Sequence, residues 1–208
     1  MSTSELTHEE FEEILYDMEK HAISYVQNLG HKNSQKCVYS EYFLPSRIRE
    51  NAKSEEEVPQ IVKDIFIREE AETLADNSKE EEALTKATYN YVEESQSEDD
   101  FEEALFKAEQ ERIDNYIKRR KERTKGLLEA AKKFPDSRHQ MLIVSQKTDK
   151  FILCIMDEKE NFVTDLFNSI SEWLSDAFNK IVDKYKEVTQ EVLNFFGNLF
   201  NAETLLIS

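Results

Sequence analysis

The sequence predicts a mainly α-helical protein, an irregular bundle of long helices with one small, covered β-hairpin at about residues 141–156. Only three glycines and three prolines occur among 208 residues, whereas these two types together usually supply roughly 12% of a chain. So few breakers leave little room for the frequent turns of an all-β fold. Thirteen Phe, eight Tyr and one Trp indicate a packed core rather than a disordered chain.

Three capping patterns mark helix starts: Thr7 with Glu10, Ser54 with Glu57, and Ser97 with Asp100. In each pair the hydroxyl oxygen of Thr or Ser can accept a hydrogen bond from the backbone N–H of the third helical residue. The acidic side chain of that residue can accept one from the backbone N–H of the Thr or Ser in return. The predicted helices run from Thr7 to Gly30, from Ser54 through Leu74, from about Ser78 to Glu94, and from Ser97 to Pro135. We expect Gly126 to kink or break the last of these. Residues 31–53 are predicted to be mixed, with a loop at His31–Lys36 and with Pro45 ending whatever Cys37–Leu44 forms.

Two apolar runs, Met141–Val144 and Phe151–Met156, follow the long helix and are joined by the polar segment Ser145–Lys150. Their length and β-branched content favour two buried strands. Helices must cover this hairpin, because a lone hairpin is not stable in water. A buried helix is the alternative that periodicity does not exclude. Cys154, inside the second run, is expected to be a buried, unreactive thiol.

Residues 164–201 hold the strongest amphipathic pattern and predict one long C-terminal helix. Its apolar face is either core or a docking surface: Phe167, Ile170, Trp173, Leu174, Phe178, Ile181, Tyr185 and Phe196. The apolar positions also repeat every eleven residues, which keeps the stripe nearly straight. Interfacial membrane helices usually carry Lys and Arg on the polar face, whereas acids outnumber bases on this one. A membrane surface is therefore the weaker of the two external partners.

Charge is distributed unevenly along the chain, whose net charge is −17. Residues 1–117 are strongly acidic, residues 118–150 are basic, and residues 151–208 are acidic again. We expect an acidic multi-helix region at residues 1–134 and a second region at 135–208, the hairpin with the C-terminal helix, packed together as one unit.

A dense cluster of cations, the basic island, lies at the border of these regions: Lys118, Arg119, Arg120, Lys121, Arg123 and Lys125. Six charges so close together on a helix point in many directions rather than along one groove. The favoured interpretation is a solvated or internally paired face, with an anion or partner site and a localisation signal as alternatives. Stacking aromatics are missing from this segment, which argues against single-stranded nucleic acid.

Catalytic patterns give no support for an enzyme, a cofactor or a metal. The sequence has no GxGxxG, GxxxxGK[ST], HExxH, CxxC or GxSxG motif. Cys37 has His31 nearby in sequence, but a nucleophile pair is defined by spatial geometry and not by this spacing. Glu13, Asp17 and His21 recur every four residues on one helix side, and a solvated face is the favoured interpretation.

The function that we expect is non-catalytic protein–protein interaction, as an adaptor, regulator or inhibitor with a strongly acidic helical surface. The partner is another protein, with basic charge, because the net charge disfavours nucleic acid. The alternative is a peripheral membrane-associating protein that uses residues 164–201. Residues 200–208 place an apolar cluster behind a Glu-bearing polar segment, and this composition is similar to the translocation tails of bacterial type IV effectors. The resemblance implies, for the alternative, an effector translocated into a host cell.

A cytoplasmic location is expected. Met1–Leu15 is acidic and lacks the apolar segment of a signal peptide. The longest uncharged stretch, Val192–Ala202, is far short of the roughly 20 residues of a membrane span. Two cysteines in a chain of this kind fit a reducing compartment.

Overall fold

A computed structural model describes residues 6–29, 40–51, 58–173 and 176–200, and these residues form six α-helices. The helices are α1 (His8–Gln27), α2 (Ser46–Asn51), α3 (Gln60–Glu93), α4 (Glu98–Lys133), α5 (Arg138–Trp173) and α6 (Ala177–Asn198). A 3₁₀ turn at Pro135–Ser137 lies between α4 and α5. The side chains of residues 51 and 171–173 are outside this description. The prediction of a mainly α-helical bundle is confirmed.

The predicted β-hairpin at residues 141–156 is wrong, because both apolar runs belong to helix α5, and the described ranges contain no strand. The polar segment expected to form its turn is helical, and within it Ser145, Thr148 and Asp149 are buried. This half of α5 packs among α1, α2, α4 and α6, so it is buried on nearly every side. A helix buried all round shows no amphipathic period, and the buried-helix alternative is correct.

Helix α3 joins two segments that the sequence predicts as separate helices. Residues 75–77 contain no glycine or proline, so nothing there forces a break. The side chains of Asp76 and Asn77 form hydrogen bonds with groups on other helices, and both residues stay helical. The Ser54–Glu57 capping pattern lies outside the described residues, and α3 begins after Pro59.

The single C-terminal helix predicted for residues 164–201 is two helices, because α5 ends at Trp173 and α6 begins at Ala177. Helix α6 runs antiparallel to α5. Near the turn Phe162 lies beside Tyr185, with ring centroids 6.4 Å apart, and farther away Phe151 stacks on Phe195 at 4.0 Å. Folding back lets both halves of the apolar stripe pack inside the bundle, which one straight helix of that length could not do.

Two of the predicted helix starts are confirmed. Thr7 and Glu10 form a complete capping box at α1, and Ser97 accepts a hydrogen bond from the backbone of Asp100 at α4. Gly126 lies inside α4 and does not break it. A Cβ at this position would meet Cδ1 of Ile65 at 3.0 Å, so the glycine lets α3 and α4 approach closely.

The described core consists of two apolar clusters. The larger one draws on α1, α2, α5, the N-terminal part of α3, the C-terminal part of α4 and the C-terminal part of α6. The smaller one contains Leu84 of α3, Phe101 and Leu105 of α4, Leu166 of α5 and Ile181 of α6. A set of buried charged side chains on α3, α4 and α5 lies where the two clusters meet.

Candidate interaction surfaces and a buried charge layer

The basic island divides between the interior and the surface. The arginines Arg119, Arg120 and Arg123 are buried, with 8%, 0% and 2% of their surface exposed, whereas the lysines Lys118, Lys121 and Lys125 are exposed. The arginines occupy positions i, i+1 and i+4 on the side of α4 that faces the core. Half of the island is therefore committed to packing inside the molecule.

Asp149 of α5 binds two of these arginines. Its Oδ1 lies 2.9 Å from Nε of Arg120, and Nη2 of Arg123 also donates to it. The hydroxyl of Tyr116 donates to the same carboxylate at 3.2 Å. Arg123 in addition donates to both carboxylate oxygens of Glu69 on α3, at 2.9 Å each. Charge-assisted hydrogen bonds in a desolvated place are strong, and each of these buried charges has a partner of opposite charge.

Helices α3 and α4 exchange three such ion pairs in antiparallel order: Glu69 with Arg123, Asp76 with Arg119, and Glu80 with Arg112. The acids span eleven residues of α3, and the arginines span eleven residues of α4. Eleven residues are about three helical turns, so each set lies along one face. We call these pairs, with Arg120, Asp149, Lys159 and Glu160, the charge layer.

The far end of the charge layer centres on Glu80. Its carboxylate accepts from Arg112 at 2.6 Å and from Nζ of Lys159 at 2.8 Å. Arg112 also donates to Glu160 at 2.9 Å. The ammonium of Lys159 lies 4.8 Å from the ring centroid of Tyr185, a cation–π contact. A cavity of about 60 Å³ adjoins this end.

Burial and pairing act in opposite directions on the acids of the layer. Burial alone would raise the pKa of Glu80, but Arg112 and Lys159 hold that pKa below its usual value. For Glu69, burial outweighs the attraction of Arg123, and its pKa is raised. The two carboxyls thus respond differently to pH although both are ion-paired.

Glu109 of α4 lies at the edge of the layer. Burial first, and then a hydrogen bond to Glu160 and repulsion from it, raise the pKa of Glu109 to about 7. Arg112 opposes this shift. Two neighbouring carboxyls that cannot both ionise cheaply hold a proton between them, so Glu109 is a titrating group near neutral pH.

A sequence signal for the charge layer existed. Acids at positions 69, 76 and 80 and arginines at positions 112, 119 and 123 each follow core-facing helical spacing. Charged residues at core positions on two successive helices indicate that those helices face one another and pair. With α3 predicted as two separate helices, Glu69 and Glu80 fall on different helices, and their common pairing with the arginines of α4 is missed.

The apolar C-terminal face is largely core. Ile170, Ile181, Tyr185 and Phe196 are buried, and Phe167 and Phe178 are half-buried. The side chain of Trp173 and the whole of Leu174 lie outside the described residues. Helix α6 places its apolar side against α3 and α5, so the face expected as core or docking surface is mainly occupied within the chain.

Among the described helices, none has an apolar stretch of the length and hydropathy that a membrane span requires.

A dense acidic surface lies where α3 meets α4. Seven acidic side chains between residues 93 and 103 are all exposed: Glu93, Glu94, Glu98, Asp99, Asp100, Glu102 and Glu103. The sequence has no Lys or Arg between Lys86 and Lys107. We call this surface the acidic end. Because the negative potentials of these neighbouring carboxylates add up, the acidic end attracts cations strongly at low salt.

A groove of about 550 Å³ lies between α3 and α6 next to the acidic end. Tyr89 of α3 and Phe178 and Val182 of α6 supply its apolar surface, and Glu81 and Glu82 line it on α3. Neither glutamate forms an ion pair with any residue that the structure describes. We call this feature the α3–α6 groove.

The exposed lysines of the basic island do not form an isolated cationic patch. Lys121 and Lys125 line a cleft of about 410 Å³ between α1 and α4, opposite Glu12 and Glu19 of α1. The opposing acids reduce the attraction of this cleft for anions.

The remaining candidates take simple structural positions. Cys37 and His31 lie outside the described residues. Cys154 is exposed and not buried as expected, because in a helix it points away from the side that buries its neighbours. Nε2 of His21 lies 2.7 Å from the carbonyl oxygen of Ser40. In the described ranges, no three His, Cys, Asp or Glu side chains are grouped as metal ligands.

No protein-family model matches this chain, and no curated protein or solved structure matches it.

Proposed function

We propose that this protein acts without catalysis, by binding a second protein that carries a basic surface. The contact is made by the acidic end. The observation that carries the proposal is the run of seven exposed acids between residues 93 and 103 with no intervening base. Such a surface steers a cationic partner and discriminates against anionic ones.

The basic island, with its arginines buried and its lysines exposed, also supports a partner of positive charge. Arg119, Arg120 and Arg123 are paired with acids inside the molecule, so their charge is not available at the surface. The lysines that remain exposed are partly opposed by acids on α1. An uncompensated negative surface thus remains at the acidic end.

The unusual ionisable residues have a structural role in this proposal. Buried Arg and Glu side chains of the charge layer are engaged with one another, which fixes the order in which α3, α4 and α5 pack. The surface is then left to make the functional contact. We place the protein in the cytoplasm, where the exposed thiol of Cys154 would stay reduced.

The test uses a fluorescein-labelled peptide of alternating Lys and Gly and follows its fluorescence anisotropy with the full chain. One variant neutralises the acidic end through Glu93→Gln, Glu102→Gln and Glu103→Gln. The control neutralises three exposed acids elsewhere, through Glu13→Gln, Asp17→Asn and Glu122→Gln. Both variants change the net charge equally, so they differ only in where charge is lost.

We expect the acidic-end variant to bind the peptide about tenfold more weakly and the control to change by less than about twofold. Binding should also weaken steeply between about 50 mM and about 300 mM NaCl. Equal losses in the two variants would mean that only net charge matters, and the proposed contact would be wrong.

A further inference from the structure

We propose that the α3–α6 groove binds one amphipathic, basic helix of the partner protein. The inference rests on the proposed function for the sign of the partner's charge, and it adds the surface and the secondary structure that are recognised.

The apolar floor is left over after the core is complete. Helix α6 uses Ile181 and Tyr185, both fully buried, for internal packing. Phe178 and Val182 lie on the flank of that face, one turn apart, and both are only partly buried. Tyr89 of α3, with 49% of its surface exposed, stands beside them. Residues spaced by one turn match the i and i+4 anchors of a partner helix.

The apolar flank continues along the seam of the two helices. Leu193, 42% exposed, follows Val182 by eleven residues, and Ile67, 54% exposed, precedes Tyr89 by twenty-two. Multiples of eleven return to the same helix face. Since α3 and α6 run antiparallel, with Asn77 bonded to Thr189 midway, Leu193 and Ile67 lie toward the same end. At 1.5 Å per residue the seam is about 33 Å long, the length of a helix of about 20 residues.

Charge selects the occupant. Glu81 and Glu82 line the groove, Asp183 is exposed beside Val182 on α6, and the acidic end begins four residues beyond Tyr89. Lys86 is the one basic residue among those that line it. A helix with apolar residues on one side and Lys or Arg at its margins complements this border. An anionic lipid surface would be repelled, and a second copy of the chain would place acid against acid.

The experiment compares two labelled peptides of identical Leu and Lys composition with the full chain. In the amphipathic peptide, Leu recurs at i, i+4, i+7 and i+11. In the permuted peptide the same residues spread Leu around the helix. The groove variant is Tyr89→Ser with Val182→Gln, and the control is Phe106→Ser, which removes another exposed aromatic near the acidic end. Circular dichroism and thermal melting verify that both variants fold.

The inference predicts that the amphipathic peptide binds at least about tenfold more tightly than the permuted one. The groove variant should lose most of that difference, and Phe106→Ser should keep it. If both peptides bind equally, and binding is still salt-dependent, the groove is not the site although the proposed function stands. If neither peptide binds at low salt, the proposed function fails as well.

Two further outcomes would overturn the inference by naming another occupant. One is binding of the chain to phosphatidylserine vesicles that is lost in the groove variant. The other is a dimer in sedimentation velocity that Val182→Gln dissociates.

Discussion

Arg123 donates through one guanidinium nitrogen to both carboxylate oxygens of Glu69, at 2.9 Å each, and both side chains are almost completely buried. The same guanidinium reaches Asp149 through its second terminal nitrogen. One arginine thus ties α3, α4 and α5 together beside Phe66 and Tyr116 of the larger apolar cluster. The arrangement makes this part of the core intolerant of losing a single partner.

Replacing Arg123 by Met should therefore lower the free energy of unfolding by about 3–5 kcal/mol, because Glu69 is left charged and buried. Urea denaturation measures the loss. The double variant Arg123→Met with Glu69→Gln should recover part of it, since the uncompensated charge is then gone. Lys125→Met on the same helix is exposed and should change stability by less than about 0.5 kcal/mol. A loss below about 1 kcal/mol for Arg123→Met would contradict the structural role of the pair.

Glu109 predicts a pH dependence of stability. Its pKa rises from the usual 4.5 to about 7 in the folded chain, so between these values the folded state binds more protons than the unfolded state. Its contribution to stability is then fully present below pH 4.5 and is lost as the pH rises through about 7. Glu109→Gln, which stays neutral, should stabilise the chain at pH 8 relative to the original and have little effect near pH 4.5.

Denaturation of this variant at both pH values checks the sign. Glu129→Gln, an exposed carboxyl on the same helix, is the control and should behave alike at both. Destabilisation by Glu109→Gln at pH 8 would show that the ionised carboxylate is favourable where it lies.

Lys150→Pro tests whether residues 145–150 are helix or turn. Lys150 lies in the middle of α5, far from both helix ends, and its side chain is exposed. Its Nζ lies 3.1 Å from Oε2 of Glu41. A proline there removes a backbone hydrogen bond and clashes with the preceding turn, at a cost of about 3 kcal/mol or more. Lys150→Ala, which loses only the exposed ion pair, should cost less than about 1 kcal/mol. If the proline variant were as stable as the alanine variant, residues 145–150 would be a turn and the predicted hairpin would be correct.

Cys154 should react with thiol reagents in the folded chain. The side chain is exposed, but partial burial, followed by the charge of Asp157, raises its pKa. Alkylation should therefore be complete yet slower at pH 8 than for free glutathione, and it should accelerate at higher pH. Rates are measured in a Cys37→Ser background so that one thiol reports. Protection of Cys154 until the chain is unfolded would place the thiol in the core.

The sequence predicts those parts of the fold that depend on local chemistry. Capping at Thr7 and Ser97 is visible in the residues themselves, because the donors and acceptors are three positions apart. The scarcity of glycine and proline likewise predicts long helices. Both predictions are independent of tertiary structure, and both are confirmed.

The predicted hairpin and the predicted division of α3 are errors with the same physical origin, the burial of polar residues. Asp149 and its neighbours interrupt the apolar pattern of α5, and Asp76 and Asn77 interrupt that of α3. Each looks like a turn because charged and amide side chains usually face solvent. Their partners, Arg120, Arg123 and others, lie far away in sequence, so the reason for their burial appears only when the helices are packed together. The break between α5 and α6 is a different case. No polar residue interrupts the apolar pattern there, and the pattern therefore predicts one continuous helix.

The candidate surfaces also divide into one that is visible in the local sequence and one that depends on how the helices pack. The acidic end is a run of neighbouring acids and can be seen in the sequence. The α3–α6 groove brings Tyr89 next to Phe178 and Val182, which follow it by about ninety residues in the chain. This contact depends on the antiparallel packing of α3 and α6. For the basic island the sequence favours a solvated or internally paired face, and the structure contains both, exposed lysines and buried, ion-paired arginines.

The central claim is that the arginines of the basic island serve the core and leave a surface that recognises positive charge. Binding of the full chain to immobilised heparin, a polyanion, and to the Lys–Gly peptide, a polycation, in about 50 mM NaCl tests it directly. We expect binding to the peptide and no retention on heparin. Retention on heparin that is abolished by the triple change Lys118→Ala, Lys121→Ala and Lys125→Ala, with no binding to the peptide, would contradict the account.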